Sequence, residues 1–272
     1  MEALVRRVLG GSPVLAEDTT VDISQCHYLG PTAVVALTLL RREAARRGVS
    51  LQIVPPQIPK LLAYCGYSGL LREFGIGEPP QPHPDNASTP VCAFELLPQA
   101  EIEQVLRIAA REIPFSETAR QHLTLALSEV SQNVLDHAVS GLGGIMSARA
   151  FKGEHEVRFA VADGGGGFFQ TLSRRMKVAD EGQAIRKALE EGITSRSSSH
   201  NMGWGLSHLQ AIVKRTGGQM MIYSRTGAGT SGPTNDRFLA RRVEFPGTIV
   251  FVRLPAVAAE WDDSDHGGDV WG

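Results

Sequence analysis

Leu123–Ala138 reads LTLALSEVSQNVLDHA. Leu123, Leu127, Val130, Val134 and Ala138 recur at three- and four-residue intervals, which predicts an amphipathic helix with one apolar stripe. Glu129, Asn133 and His137 fall four apart and form a second stripe, with Asp136 beside them. A solvent face would normally mix Lys, Arg and Glu. A carboxylate, a carboxamide and an imidazole stacked on one face can instead polarise a nucleophile, hold a metal through oxygen and reach phosphate.

The surroundings of this helix are those of a soluble protein. Hydrophobic residues at 42% and charged residues at 21% of 272 describe a globular chain of one large domain or two ordinary ones, not a disordered one. A net charge of −2 gives no basic surplus, so nothing points to direct nucleic-acid binding or to an anionic membrane. Cys26, Cys65 and Cys92 lie far apart without metal-site spacing. They read as small buried hydrophobes in a reducing compartment. The start MEALVRRVLGG has no signal-peptide core, and no apolar run approaches the roughly 20 residues that span a bilayer. The expectation is a cytoplasmic protein.

Residues 1–75 read as a small α/β domain. Thr20–Ser24 is strand-like, Thr32–Arg47 is helical with Gly48 at its C-cap, Val49–Val54 alternates as a strand, and Gln57–Tyr64 is a further helix. Residues 76–90, rich in proline, read as a semi-rigid linker. Residues 91–255 read as a second domain, and 256–272 as a disordered tail. In the second domain Val91–Leu97 is a strand, Gln99–Glu112 a helix, and Ser116 the N-cap of the long helix. Gly144–Phe151 and His155–Ala162 form a hairpin running into Asp163-Gly164-Gly165-Gly166-Gly167. A polar stretch with a helix near Glu181–Glu191 leads to Gly203-Trp204-Gly205-Leu206, which opens another helix. Gln219–Ser224 is a strand, and Arg237–Phe245 with Thr248–Leu254 reads as a second hairpin through Pro246-Gly247. The order implies an α+β sandwich with a mixed, largely antiparallel sheet.

Each glycine set has an ordinary reading as a turn or a cap. A dinucleotide site fits poorly, because here the carboxylate precedes the glycines and a long polar stretch separates the two sets. No GxxxxGK[ST] motif occurs. Taken in order, SEVSQNVLDHA, ADGGGGF, MGWGLSHL and GTIVFVRLP resemble the N box, two glycine boxes and final strand of the GHKL (Bergerat) ATP-binding fold. That family includes gyrase B, MutL, the 90-kDa heat-shock chaperones, histidine kinases and anti-sigma-factor serine kinases. The acidic-Asn-His helix is most similar to the anti-sigma serine-kinase branch.

The segment from VDIS to LLAYCGYSGLLREFG resembles a STAS domain, the fold of anti-sigma-factor antagonists. The phosphorylated turn of such domains is matched here by Gly30-Pro31-Thr32-Ala33, which lacks the usual Asp and Gly. Thr32 is the one hydroxyl available, and a purely structural helix start is the competing reading.

The resemblance implies ATP and Mg2+ as ligands and gives each residue a role. Asn133 would offer its amide oxygen to the metal, and Glu129 would act as general base. His137 would lie near the phosphates or merely pack there. Asp163 would accept from the adenine amino group and Thr248 would support it. Gly165 would let the backbone approach the base, and Gly167 would begin a lid in which Thr194, Ser195, Arg196 and Ser197–Ser199 could meet the γ-phosphate. Gly203, Gly205 and Leu206 would present a helix N-terminus to phosphate. Three functions stay open: a protein serine/threonine kinase acting on a STAS-type antagonist or sigma-like regulator, an ATPase or ATP-gated switch, and a non-catalytic protein regulated in cis by its STAS-like domain. A homodimer is a further arrangement that the resemblance allows.

Overall fold

The computed structural model describes residues 17–77, 87–113, 116–137, 142–190, 205–241 and 244–255. The expected tail and the lid residues Thr194–Ser199 lie outside these. The N-terminal unit comprises β1 (Thr19–Asp22), α1 (Pro31–Arg46), β2 (Leu51–Val54), α2 (Pro59–Tyr67) and α3 (Leu70–Glu73). Its two strands pair in parallel, Thr19 opposite Leu51 and Asp22 opposite Val54. That pairing requires a crossover, and α1 supplies it. Pro31 sits in the first turn of α1, where its missing N–H costs nothing.

The remaining elements are β3 (Cys92–Phe94), α4 (Gln99–Glu112), α5 (Glu117–His137), β4 (Gly144–Phe151), β5 (Glu156–Asp163), α6 (Gly167–Leu172), α7 (Glu181–Ala188), α8 (Gly205–Arg215), β6 (Gln219–Ser224), β7 (Gly227–Ser231), β8 (Asp236–Ala240) and β9 (Thr248–Pro255). The strands form one seven-stranded sheet in the order β3-β4-β5-β9-β6-β7-β8. Every neighbouring pair in it is antiparallel. The structure is thus mixed α/β with an antiparallel main sheet.

Two sequence expectations are corrected here. Arg237–Phe245 does not form a hairpin with the last strand. β8 pairs with β7 at the sheet edge, while β9 enters the middle between β5 and β6. The strand that displaced this pairing, β7, reads GAGTS and carries turn-like residues. Its glycines make room instead: a Cβ on Gly229 would stand 2.8 Å from the Phe238 ring and 2.9 Å from Ile185, and one on Gly227 would meet Glu181. Helix α7 therefore lies hard against this hairpin, an approach that only small residues permit. The stretch after Gly167 also differs, beginning with the short helix α6.

On the inner face of the sheet α4, α5, α7 and α8 share one core. Leu123, Leu127, Val130 and Val134 of α5 are all buried there against Phe159, Val161, Val250 and Val252. The apolar stripe read from the sequence is this contact. Ser116 Oγ accepts from the Ala119 N–H at 3.1 Å, the geometry of an N-cap.

The outer face is covered by the N-terminal unit. Strand residues alternate sides, so Ile145, Ala160, Ala162 and Ile249 point away from α5 and join a second core with Val34, Val35, Leu37 and Leu39 of α1. The small side chains of Ala160 and Ala162 let the helix approach closely. Farther along, Arg149 and Arg158 lie directly opposite each other across the β4–β5 ladder, an arrangement that alone would repel. Aromatic rings interleave them. The Arg149 guanidinium sits 4.1 Å from the Tyr64 ring and 4.8 Å from Phe151, and Arg158 sits 4.1 Å from Phe151. Arg158 also donates to the Tyr28 hydroxyl and pairs with Glu156. Tyr28 and Tyr64 belong to the N-terminal unit, so this ladder pins that unit to the sheet. Residues 87–90 of the proline-rich stretch run along β4, with the Thr89 N–H donating to the Ala148 carbonyl at 2.8 Å.

Candidate functional site

At one end of the inner face α5, α6 and α8 part from the strand ends and leave a cleft. Val130, Val134, Phe168, Leu206 and Val250 give it apolar walls, while Asn133, Asp163, Thr171 and Thr248 supply the polar groups. Apolar walls with a few placed polar atoms suit a flat heteroaromatic ligand.

Asp163 ends β5, flanked by Gly144 of β4 and Thr248 of β9. The side chain is buried, and burial pushes its carboxyl up to about 7 against the opposing pull of the Gly165 and Thr248 N–H groups. Gly165 N–H donates to Asp163 Oδ1 at 2.6 Å, so the carboxylate caps its own glycine turn. Gly167 has φ +81, and a Cβ there would stand 2.5 Å from Arg225, 2.7 Å from Glu181 and 2.7 Å from Ser224. Only glycine fits that position.

Behind Thr248 lies a buried polar network. Ser224, its register partner on β6, brings its Oγ to 3.3 Å from Thr248 Oγ1. Ser224 Oγ also accepts from the Phe168 N–H at 3.1 Å and donates to Glu181 Oε1. Glu181 Oε1 accepts as well from the Phe169 N–H at 3.2 Å. Burial raises the Glu181 carboxyl above its ordinary value, the hydrogen bonds and the Arg225 guanidinium pulling the other way.

Of the residues singled out in the sequence, Asn133, Asp163, Gly167, Leu206 and Thr248 line the one cleft. Gly165 lies in its floor turn, and Gly205 is the first residue of α8, whose N-terminus is at the cleft through Leu206. Glu129 is one turn before Asn133 on α5, does not line the cleft, and is half-buried with its carboxyl raised by burial. Gly203 and the His137 side chain lie outside the described residues. Thr32 is half-buried in the first turn of α1, in the N-terminal unit and outside this cleft.

Glu181 and Ser224 were not legible in the sequence. Glu181 looks like any acid in a first helical turn, and Ser224 like the polar end of a strand. The one available signal was register, because Ser224 becomes significant only once β6 is known to pair with β9.

A Mg2+ site would draw on Asn133 and on ligand oxygens. Among the described residues no three His, Cys, Asp or Glu side chains cluster to hold a metal. That donor set fits a cation that accepts few protein ligands and takes its other oxygens from phosphate and water.

A search of curated proteins finds no match to this chain. The family model described as histidine kinase-like ATPase domain matches residues 96–231, half of the chain, and spans α4, α5, the Asp163 turn, α8 and β7. By that match the chain belongs to the histidine kinase-like ATPase family.

Proposed function

We propose that the chain is a Mg-ATP-binding regulatory protein that works as a protein serine/threonine kinase of the anti-sigma type. The observation that carries the nucleotide reading is the meeting of Asn133, Asp163, Leu206 and Thr248 in one apolar-walled cleft beside a helix N-terminus. Asp163 receives the adenine amino group while Gly165 and Thr248 hold its carboxylate in place. Asn133 offers an amide oxygen to the metal. Gly205 and Leu206 bring the positive end of α8 toward the phosphates. Mg2+ supplies charge neutralisation on the phosphates when bound. Glu129, one turn from Asn133, orients and deprotonates the attacking hydroxyl. A carboxyl whose affinity for protons is raised by burial is suited to that task.

The strand-helix-strand-helix order of residues 19–67 supports reading the N-terminal unit as STAS-like, with Thr32 as its candidate phosphoacceptor. A second reading has its own support. α1 is packed on the outer face of the ATPase sheet, which favours an ATP-gated switch regulated in cis over transfer to a separate protein.

Calorimetry with Mg-ATP tests the nucleotide reading, and absence of binding removes it. Incubation with labelled ATP and STAS-type substrates then separates the two functions. Labelled protein supports the kinase. Phosphate release that disappears in Glu129→Ala, with no phosphoprotein formed, supports the switch.

A further inference from the structure

We propose that Glu181 is a positioning residue that sets which way the hydroxyl of Thr248 points and thereby gives the cleft its preference for a 6-amino purine. This rests on the nucleotide-binding reading above and names the specificity device within it.

The argument is a count of protons and lone pairs. A serine hydroxyl has one proton to give and two lone pairs to receive with. Ser224 gives its proton to Glu181 Oε1. One lone pair takes the Phe168 N–H at 3.1 Å. The remaining neighbour, Thr248 Oγ1 at 3.3 Å, therefore donates to Ser224. Once Thr248 has spent its proton on Ser224, it turns only lone pairs toward the cleft that it lines. Asp163, beside it in the same register pair, is also only an acceptor once it is ionised, above about pH 7.

The two polar groups at the cleft floor then both receive hydrogen bonds. A base with an amino group at this point satisfies them. A 6-oxo purine sets a lone pair against lone pairs, and a buried acceptor without a donor is costly.

Glu181 fixes this polarity because Oε1 already accepts from the Phe169 N–H at 3.2 Å and has no proton to offer back. Without its side chain, the Ser224 hydroxyl is free to rotate and donate to Thr248. Thr248 could then give its own proton to the ligand, and a 6-oxo purine would be tolerated. Burial makes the device effective. Glu181, Ser224, Asp163 and Thr248 are all buried, so water does not readily substitute for a missing partner.

The test compares Mg-ATP with Mg-inosine triphosphate by calorimetry on the full chain at about pH 8.5, where the Asp163 carboxyl is ionised. The wild type should prefer ATP by about tenfold or more. Glu181→Ala and Ser224→Ala should each narrow that ratio at least about threefold, whereas Glu181→Gln, which keeps an oxygen acceptor, should preserve it within about twofold. Circular dichroism checks the fold of each variant, and Ser224→Ala carries the test if Glu181→Ala does not fold.

An unchanged ratio in the alanine variants, even with both affinities lowered, would reduce Glu181 to a structural brace and overturn the proposal. So would a Glu181→Gln variant that loses the ratio as fully as Glu181→Ala, or a wild type that binds both nucleotides equally. A wild type that binds neither overturns the nucleotide-binding reading, and this proposal with it.

Discussion

Asp163 and Thr248 lie directly opposite each other across the β5–β9 ladder, and the turn that delivers Thr248 folds back over Asp163. The residue just before Thr248, Gly247, is so close that a Cβ there would stand 1.8 Å from the Asp163 carbonyl oxygen. The two turns are thus in backbone contact, and the buried Asp163 side chain lines the cleft beside them.

Burial of its side chain makes Asp163 a source of pH dependence. Its carboxyl, ordinarily near 3.8, titrates at about 7 in the fold. Between those values the folded protein holds a proton that the unfolded chain has released. Its contribution to stability is therefore fully present below pH 4 and lost as pH rises through 7. Asp163→Asn escapes this loss. The variant should be more stable than the wild type at pH 8, by at most about 4 kcal/mol, with the gain shrinking toward pH 4, while ATP binding is lost. Denaturant unfolding at several pH values measures it, and a gain that does not vary with pH would refute the assignment.

Gly247 and Gly48 both have positive φ, +138 and +72, but only Gly247 is crowded, since nothing lies within 4 Å of a Cβ at Gly48. Gly48→Ala should cost about 1 kcal/mol from backbone strain alone. Gly247→Ala should cost more than about 2 kcal/mol and weaken nucleotide binding, because the Asp163 turn must move. Equal costs in thermal unfolding would mean that the close approach is not maintained in solution.

Glu129 does not line the cleft, so its removal should separate turnover from affinity. Glu129→Gln should lower turnover by roughly 10²–10⁴ and change the ATP dissociation constant by less than about threefold. A matched loss of binding would show that the residue acts on ligand affinity instead.

Ala160 is fully buried on the outer face, in the core that the sheet shares with α1. Ala160→Leu should destabilise by about 1–3 kcal/mol through overpacking. Limited proteolysis should then cut more readily within the N-terminal unit. A neutral result would indicate that the N-terminal unit does not rest on the sheet in solution.

The parts of this molecule that the sequence revealed are those fixed by local pattern. The α5 stripe, the Ser116 cap and the Asp163 turn each follow from residues a few positions apart. What it concealed depends on pairing across long separations. GAGTS could not be read as a strand, because its glycines answer to Phe238 and Ile185 rather than to their own neighbours. The Ser224–Glu181 contact joins residues 43 positions apart and leaves no periodic trace. Ala160 and Ala162 read as ordinary strand residues, although their small size is what admits α1.

The cover over the outer face also bears on how the protein can be divided. The family match begins at residue 96, but a fragment cut there would turn Ile145, Ala160, Ala162 and Ile249 out to water together with half of the aromatic-arginine ladder. Such a fragment should aggregate or recruit a substitute for α1. The module matched by its sequence is therefore smaller than the folded body, and the N-terminal unit is part of what shields its sheet from water.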